Sequence, residues 1–273
     1  MLDSMGALPR TDRLAERLEE ELERLPAEAA VALEPLDGTP GWVHRPDEVF
    51  PAASVVKIPI LLELFRRFQD GGEDPGTRVT LHARDQVLGA GILFELHPGI
   101  RLTLRELARL MIVLSDNTAS NLLLDRLGWA SVNELLARLG ARNTVICRKF
   151  MYPPGPAGEN LTSAADCVRI LRALWEGEVL QGTWREEALD ILSRQQYREK
   201  IPARLPPSAR VYNKTGELEG VRHDVGLVED RGKVWALAVL TRKGRDPWEV
   251  DTRIARISRW CYDQIVEGGI EPS

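Results

Sequence analysis

The stretch SVVKIPILLELFRRFQD, Ser54 to Asp70, constrains the fold most, because its apolar residues leave little room for a polar face. Val55, Ile58, Leu61, Leu62, Leu64, Phe65 and Phe68 surround most of the helix that this spacing predicts. Such a helix is buried, so other elements must pack around it. Pro59 sits one turn in, where a missing backbone N–H costs least. The run is too short for a bilayer and continues into Arg66 and Arg67, which makes it a core helix.

The chain ends supply strands. A first helix, about Thr11 to Leu25, leads to strands near Ala29 to Leu36 and Gly41 to Arg45, joined through Asp37-Gly38. Its mixed charges, RLAERLEEELERL, read as a solvated amphipathic face. After the Pro206-Pro207 break come a β-like run from Arg210 and strands at Asp224 to Glu229 and Lys233 to Thr241, joined by a turn at Asp230-Arg-Gly. A last helix lies near Trp248 to Glu267, and Ser54 to about Gln195 reads as nearly all helix. The expected fold class is α+β: one antiparallel sheet of about five strands built from both chain ends, flanked by helices, with an inserted all-α domain. Residues 1–50 and 196–273 would form the sheet domain and 51–195 the helical one, with the site in the cleft between them.

Three short motifs lie on this frame in order: Ser54-Val55-Val56-Lys57, Ser115-Asp116-Asn117 and Lys214-Thr215-Gly216. Ser54 opens the buried helix, and Lys57 stacks on the same face. A hydroxyl there meets unpaired N–H groups and a positive dipole end, which favour developing negative charge. Lys57 takes a proton only when neutral; burial and a second cation, Lys214, both lower a lysine pKa. Alone, Ser54 reads as a helix cap and Lys57 as a surface lysine. With the other motifs they read as nucleophile and base. Ser115-Asp116-Asn117 ends a run with Leu104, Leu107, Met111 and Leu114 at helical spacing, and a second helix follows, stopped by Gly128. These residues make good turns and caps in any protein. Beside a serine nucleophile, Ser115 reads as a proton relay to the leaving nitrogen, Asn117 as an amide contact to substrate and Asp116 as a brace for the loop. Lys214 and Thr215, on a strand beside a hairpin, would hold a substrate carboxylate by charge-assisted hydrogen bonds. The strand backbone through Gly216 would pair with an extended acyl-amide.

The set SxxK, SDN and KTG resembles that of class A β-lactamases and related penicillin-recognising serine hydrolases, over most of the chain from Phe50 onward. The resemblance implies the class A fold and an acyl-enzyme on Ser54, formed with a β-lactam or related acyl donor and released by water. It implies an oxyanion hole made by the backbone N–H groups of Ser54 and Glu217. One departure stands out. In that family a glutamate on a long loop between SDN and KTG positions the deacylating water. The matching stretch here, Arg148 to Thr162, is several residues shorter, and the glutamate's place falls near Met151. Its one carboxylate, Glu159, lies close to the expected start of the next helix at Thr162, where an acid is favourable for electrostatic reasons alone. Three outcomes stay open: slow β-lactam hydrolysis by another base, a trapped acyl-enzyme, or another substrate such as an ester or peptide. An esterase or D-amino peptidase and a non-turnover penicillin-binding sensor are the alternatives.

Composition narrows the rest. With 273 residues the chain can bury a sizeable core in one or two domains, and a net charge of −5 argues against nucleic acid as partner. No apolar run reaches membrane-spanning length, so the expected partner is a small-molecule acyl donor, bound by a monomer without membrane contact. No cofactor or metal is expected: His44, His82, His97 and His223 are scattered, and His223 reads as an exposed strand-end residue. Three cysteines, Cys147, Cys167 and Cys261, show no metal spacing; the latter two read as core residues. The N-terminus lacks a basic segment leading into an apolar one. As given, the chain reads as cytoplasmic; a removed signal would make it periplasmic or secreted.

Overall fold

Both chain ends meet in one sheet. The computed structural model describes residues 10–154, 156 and 158–268; the first nine residues, which bear on secretion, lie outside them, as do residues 155 and 157 of the proline-rich loop. Helix α1 (Arg10–Glu23) precedes β1 (Glu28–Pro35), β2 (Trp42–His44) and the short β3 (Phe50–Pro51). A 3₁₀ turn, Ala53–Val56, runs into α2 (Lys57–Gln69), followed by β4 (Arg78–Thr80) and β5 (Arg101–Thr103). Then come α3 (Leu104–Val113), α4 (Asn117–Leu127), α5 (Trp129–Arg138), β6 (Leu161–Thr162), α6 (Ala164–Glu176) and α7 (Gly182–Ser193). The chain closes with β7 (Arg210–Leu218), β8 (Val221–Asp230), β9 (Lys233–Arg242) and α8 (Pro247–Ile265).

The five-stranded sheet has the order β2-β1-β9-β8-β7, every neighbour antiparallel. Arg231 and Gly232, both at positive φ (48° and 74°), make the two-residue turn between β8 and β9, whose twist suits a tight hairpin. The sheet is covered on both faces. Along β9, Trp235, Leu237 and Val239 pack with Val31 and Leu33 under α1 and α8. Ala236, Ala238 and Leu240 belong to the other core, with α2 and α6. Period-two alternation therefore divides β1 and β9 between two apolar layers, and the central stretches of both read in sequence as unbroken apolar runs.

Helix α2 is the hub of the second layer, with Lys57 and Glu63 buried among its apolar residues. Glu63 is matched by Arg66, Arg67 and the Ser131 hydroxyl, so its burial is paired. Two features differ from the sequence expectation. The stretch between Phe50 and Gln195 is not purely helical: β3 pairs with β6 and β4 with β5. Strands of two or three residues carry no periodicity to detect. Also, Ser54 sits in the 3₁₀ turn, and the α-helix itself begins at Lys57. Among the described residues, no helix is long and apolar enough to cross a membrane.

Candidate active site

The Ser54 turn, the Ser115 turn and strand β7 converge on one cleft of about 750 Å³. Ser54, Gly89, Asn117, Phe150, Met151 and Glu217 are among the residues that line it. Gly216 explains how strand and turn come so close. A Cβ there would stand 3.1 Å from the Ala53 Cβ and 3.2 Å from Val55 Cγ1, so only glycine lets β7 lie against the Ser54 turn without a shift.

Asp116 holds the second wall. Its carboxylate accepts the backbone N–H of Ala119 (2.8 Å), capping α4, and those of Ile92 (2.7 Å) and Leu93 (2.9 Å) across the cleft edge. Gly91 faces this carboxylate at φ 110°, and a Cβ on it would fall 2.3 Å from Asp116 Cγ. Ser115 itself takes a left-handed conformation (φ 55°) between α3 and α4. That turn aims its hydroxyl inward.

Lys57 and Lys214 meet at that hydroxyl. Lys57 Nζ lies 3.1 Å from Ser115 Oγ, 2.7 Å from the Ser115 carbonyl and 2.8 Å from Asn117 Oδ1. Lys214 Nζ lies 3.1 Å from the same Oγ and donates to the Thr215 carbonyl at 2.9 Å. Burial, and then the Lys214 charge, hold Lys57 well below the usual lysine range, with Asp116 opposing. Burial lowers Lys214 to about 7; Asp224 opposes, and Lys200 adds to the lowering. A neutral Lys57 has two N–H groups for the two carbonyl oxygens and a lone pair for the Ser115 O–H. Lys214 can then donate to Ser115 while Ser115 donates to Lys57. Among the described residues, the Ser54 hydroxyl makes no hydrogen bond; it opens on the cleft.

Thr215 and Gly216 continue β7 opposite Asp224 and His223 of β8. Glu217 turns its side chain into the cleft, where Lys200 Nζ (2.7 Å) and Arg222 (2.9 Å) hold it. Asn117 reaches the cleft, but its amide oxygen is engaged by Lys57.

Glu159 also lines the cleft, paired with Arg148 through two bonds of 2.6 and 2.7 Å. The Asn160 amide closes the same neck, accepting from the backbone N–H groups of Cys147 and Arg148. The expectation that Glu159 serves a helix N-terminus is corrected here: α6 begins at Ala164, Ser163 caps it and Asp166 is the acid of its first turn. A guanidinium fork, not a helix dipole, holds Glu159.

His223 is a second correction. It is fully buried inside β8, where both sheet faces are covered. Its Nε2 bonds the Pro51 carbonyl (2.8 Å), and its Nδ1 accepts the Thr241 N–H (3.0 Å). Burial pushes its pKa down to about 4, and the neutral ring ties β8 to the segment entering the Ser54 turn. Sequence reasoning also missed Phe150, whose ring centroid lies 4.4 Å from Lys57 Nζ, and Lys200, fully buried beside Glu217. Neither carries a local signal; both are placed by distant contacts.

Known proteins share this fold. The sequence pattern of the family described as "Beta-lactamase enzyme family" matches residues 13–265. A β-lactamase of Bacillus licheniformis is 30% identical over 224 residues, 77% of this chain and 70% of that one. The crystal structure of a β-lactamase from Sphaerobacter thermophilus superposes with a TM-score of 0.88 at 32% identity, covering 95% of this chain and 98% of that one. A leucine-to-glutamate variant of PBP-A, in an acyl-enzyme complex with penicillin G, superposes with a TM-score of 0.85 at 29% identity, covering 94% of this chain and 98% of that one. Fold and family pattern agree over nearly the whole chain, which therefore belongs to the beta-lactamase enzyme family, as a serine hydrolase of class A type.

Proposed function

We propose that the chain transfers acyl groups through an ester on Ser54, with β-lactams or related amides and esters as donors. The observation that carries this reading is the buried Lys214–Ser115–Lys57 chain of contacts, joined through Asn117 to the cleft onto which Ser54 opens. Ser54 Oγ attacks the donor carbonyl while its proton passes to the neutral Lys57 amine, whose lone pair is freed as the Ser115 O–H turns toward the leaving atom. The backbone N–H groups of Ser54 and Glu217 receive the oxyanion. As the C–N or C–O bond breaks, the leaving atom takes a proton through Ser115. Lys214 and Thr215 contact the leaving-group end of the donor, where a β-lactam carries its carboxylate. Capture of the leucine-to-glutamate variant of PBP-A, a protein of this fold, as an acyl-enzyme with penicillin G supports the same ester here.

Release is the slow half. Met151 lines the cleft, near the place that the family resemblance gives to the water-activating glutamate, and Glu159 is committed to Arg148. These two observations favour a long-lived acyl-enzyme over rapid turnover. Intact-protein mass followed over hours with benzylpenicillin tests both halves. The expected result is an adduct one penicilloyl heavier, absent from Ser54→Ala, that decays slowly. Equal labelling of the alanine variant would place the nucleophile elsewhere; decay within seconds would show that an efficient base exists.

A further inference from the structure

Glu217, which lines the cleft, is already held by two cations behind it. Lys200 is wholly buried, yet its Nζ reaches Glu217 Oε1 at 2.7 Å, and Glu217 remains 43% exposed to the cleft. Arg222 donates to the other Glu217 oxygen at 2.9 Å and pairs through its Nε with Asp251 at 2.9 Å. Asp224, buried in β8, accepts from the Asn213 amide and faces Lys200 and Lys214. Three cations, Lys200, Lys214 and Arg222, thus meet three carboxylates, Glu217, Asp224 and Asp251, before any substrate arrives.

We infer that Glu217 is a specificity-determining residue whose side chain occupies the anion position beside the KTG strand, so that the site favours acyl donors bearing no carboxylate at the leaving-group end. The inference rests on the Ser54 acyl-transfer reading and narrows its substrate class. A carboxylate-bearing donor must displace Glu217 or lie beside it, and like charges in a half-exposed cleft repel. A neutral ester or amide meets no such opposition and can donate to, or pack on, the Glu217 carboxylate. The charge state of the neighbours agrees. Lys214, lowered to about 7, carries only part of a positive charge at neutral pH, and Asp224, raised by burial to about 6, is mostly ionised there. Little net positive charge is left to attract an anion.

Benzylpenicillin and its methyl ester form the test pair, since they differ only in that carboxylate. Rates of Ser54 labelling by each are measured by intact mass on wild type, Glu217→Gln and Glu217→Asp. For wild type, the ester should label at least as fast as the acid. Glu217→Gln should shift the acid-to-ester ratio toward the acid by about tenfold, the effect of one like charge at this range, and Glu217→Asp should keep the wild-type ratio. Taking both rates on one preparation makes the ratio independent of how much of a variant is folded, and the ester's added bulk cancels between variants. A ratio that moves less than about threefold in Glu217→Gln, or a wild type that strongly prefers the acid, overturns the inference while leaving the acyl-enzyme intact. Absence of labelling by both compounds in every variant refutes the acyl-transfer reading, and this inference falls with it.

Discussion

Replacing Asp116 by asparagine removes a charge while keeping the shape, and its cost can be worked from three bonds. The carboxylate is 1% exposed and accepts from Ala119 on one oxygen and from Ile92 and Leu93 on the other. An amide in either orientation turns an NH₂ group toward at least one of those donors, so at best two bonds survive, now between neutral groups. Charge-assisted bonds contribute roughly 1.5–3 kcal/mol each and neutral ones about 1. The expected loss is therefore about 4 kcal/mol by that reckoning. At this chain length that is a fall of about 10 °C in Tm. Gly91 packs directly on the carboxylate, which leaves no room for the amide to turn away. Urea unfolding of wild type and Asp116→Asn reads the energy directly. The same change frees the Gly91–Leu93 segment from the Ser115 turn, so labelling of Ser54 by benzylpenicillin should slow by about tenfold in the folded variant. A variant within about 1 kcal/mol of wild type would mean that packing, not this carboxylate, holds the loop, and the brace argument would be wrong.

Three further outcomes are expected. His223 has a folded pKa near 4, below the usual value of about 6.5 for an unfolded chain, so its contribution is complete above the unfolded pKa and is lost as pH falls toward 4. It should cost about 2 kcal/mol between pH 7 and pH 5, and urea unfolding of His223→Gln should lack that loss; an identical pH dependence would refute the assignment. Asp224, raised to about 6, works in the opposite sense over pH 4–6, so the variant should gain stability on mild acidification where wild type stays nearly level. Glu159→Gln should leave decay of the penicilloyl adduct within about threefold of wild type, because Glu159 serves the Arg148 fork; an adduct that no longer decays would identify Glu159 as the base. Met151→Glu should speed that decay by tenfold or more by supplying a carboxylate at the cleft, a factor within the usual range of general-base catalysis; an unchanged rate would move the water's position away from Met151.

What could be read from the sequence follows from how far apart the deciding residues lie. The sheet from both chain ends was legible because β1 and β9 carry unbroken apolar runs, and a turn residue pair joins β9 to the mixed strand β8 before it. The Ser54, Ser115 and Lys214 positions were legible because each motif marks its own local backbone: a turn into a buried helix, a break between helices, a strand that needs glycine at its closest approach. Lys200 was not. It follows Arg198 and Glu199 in a run that reads as solvated charge, and its partners, Glu217 and Asp251, lie 17 and 51 positions away on β7 and α8.

His223 failed for the same reason, since its acceptor is the Pro51 carbonyl, 172 positions earlier in the chain. Glu159 shows the deeper limit. Residue type and spacing identify a carboxylate in the right loop, but its chemistry is decided by Arg148, which claims both oxygens. A carboxylate activates water only with a free lone pair directed at it; in a bidentate guanidinium fork one acceptor site on each oxygen is taken and the group's orientation is fixed by the arginine. The distinction between a trapped and a hydrolysed acyl-enzyme therefore rests on partners rather than on composition. Glu217 extends the same logic to substrate choice. Its place beside the KTG strand makes it a wall residue in sequence, and its pairing with a buried lysine makes it the anion already bound there.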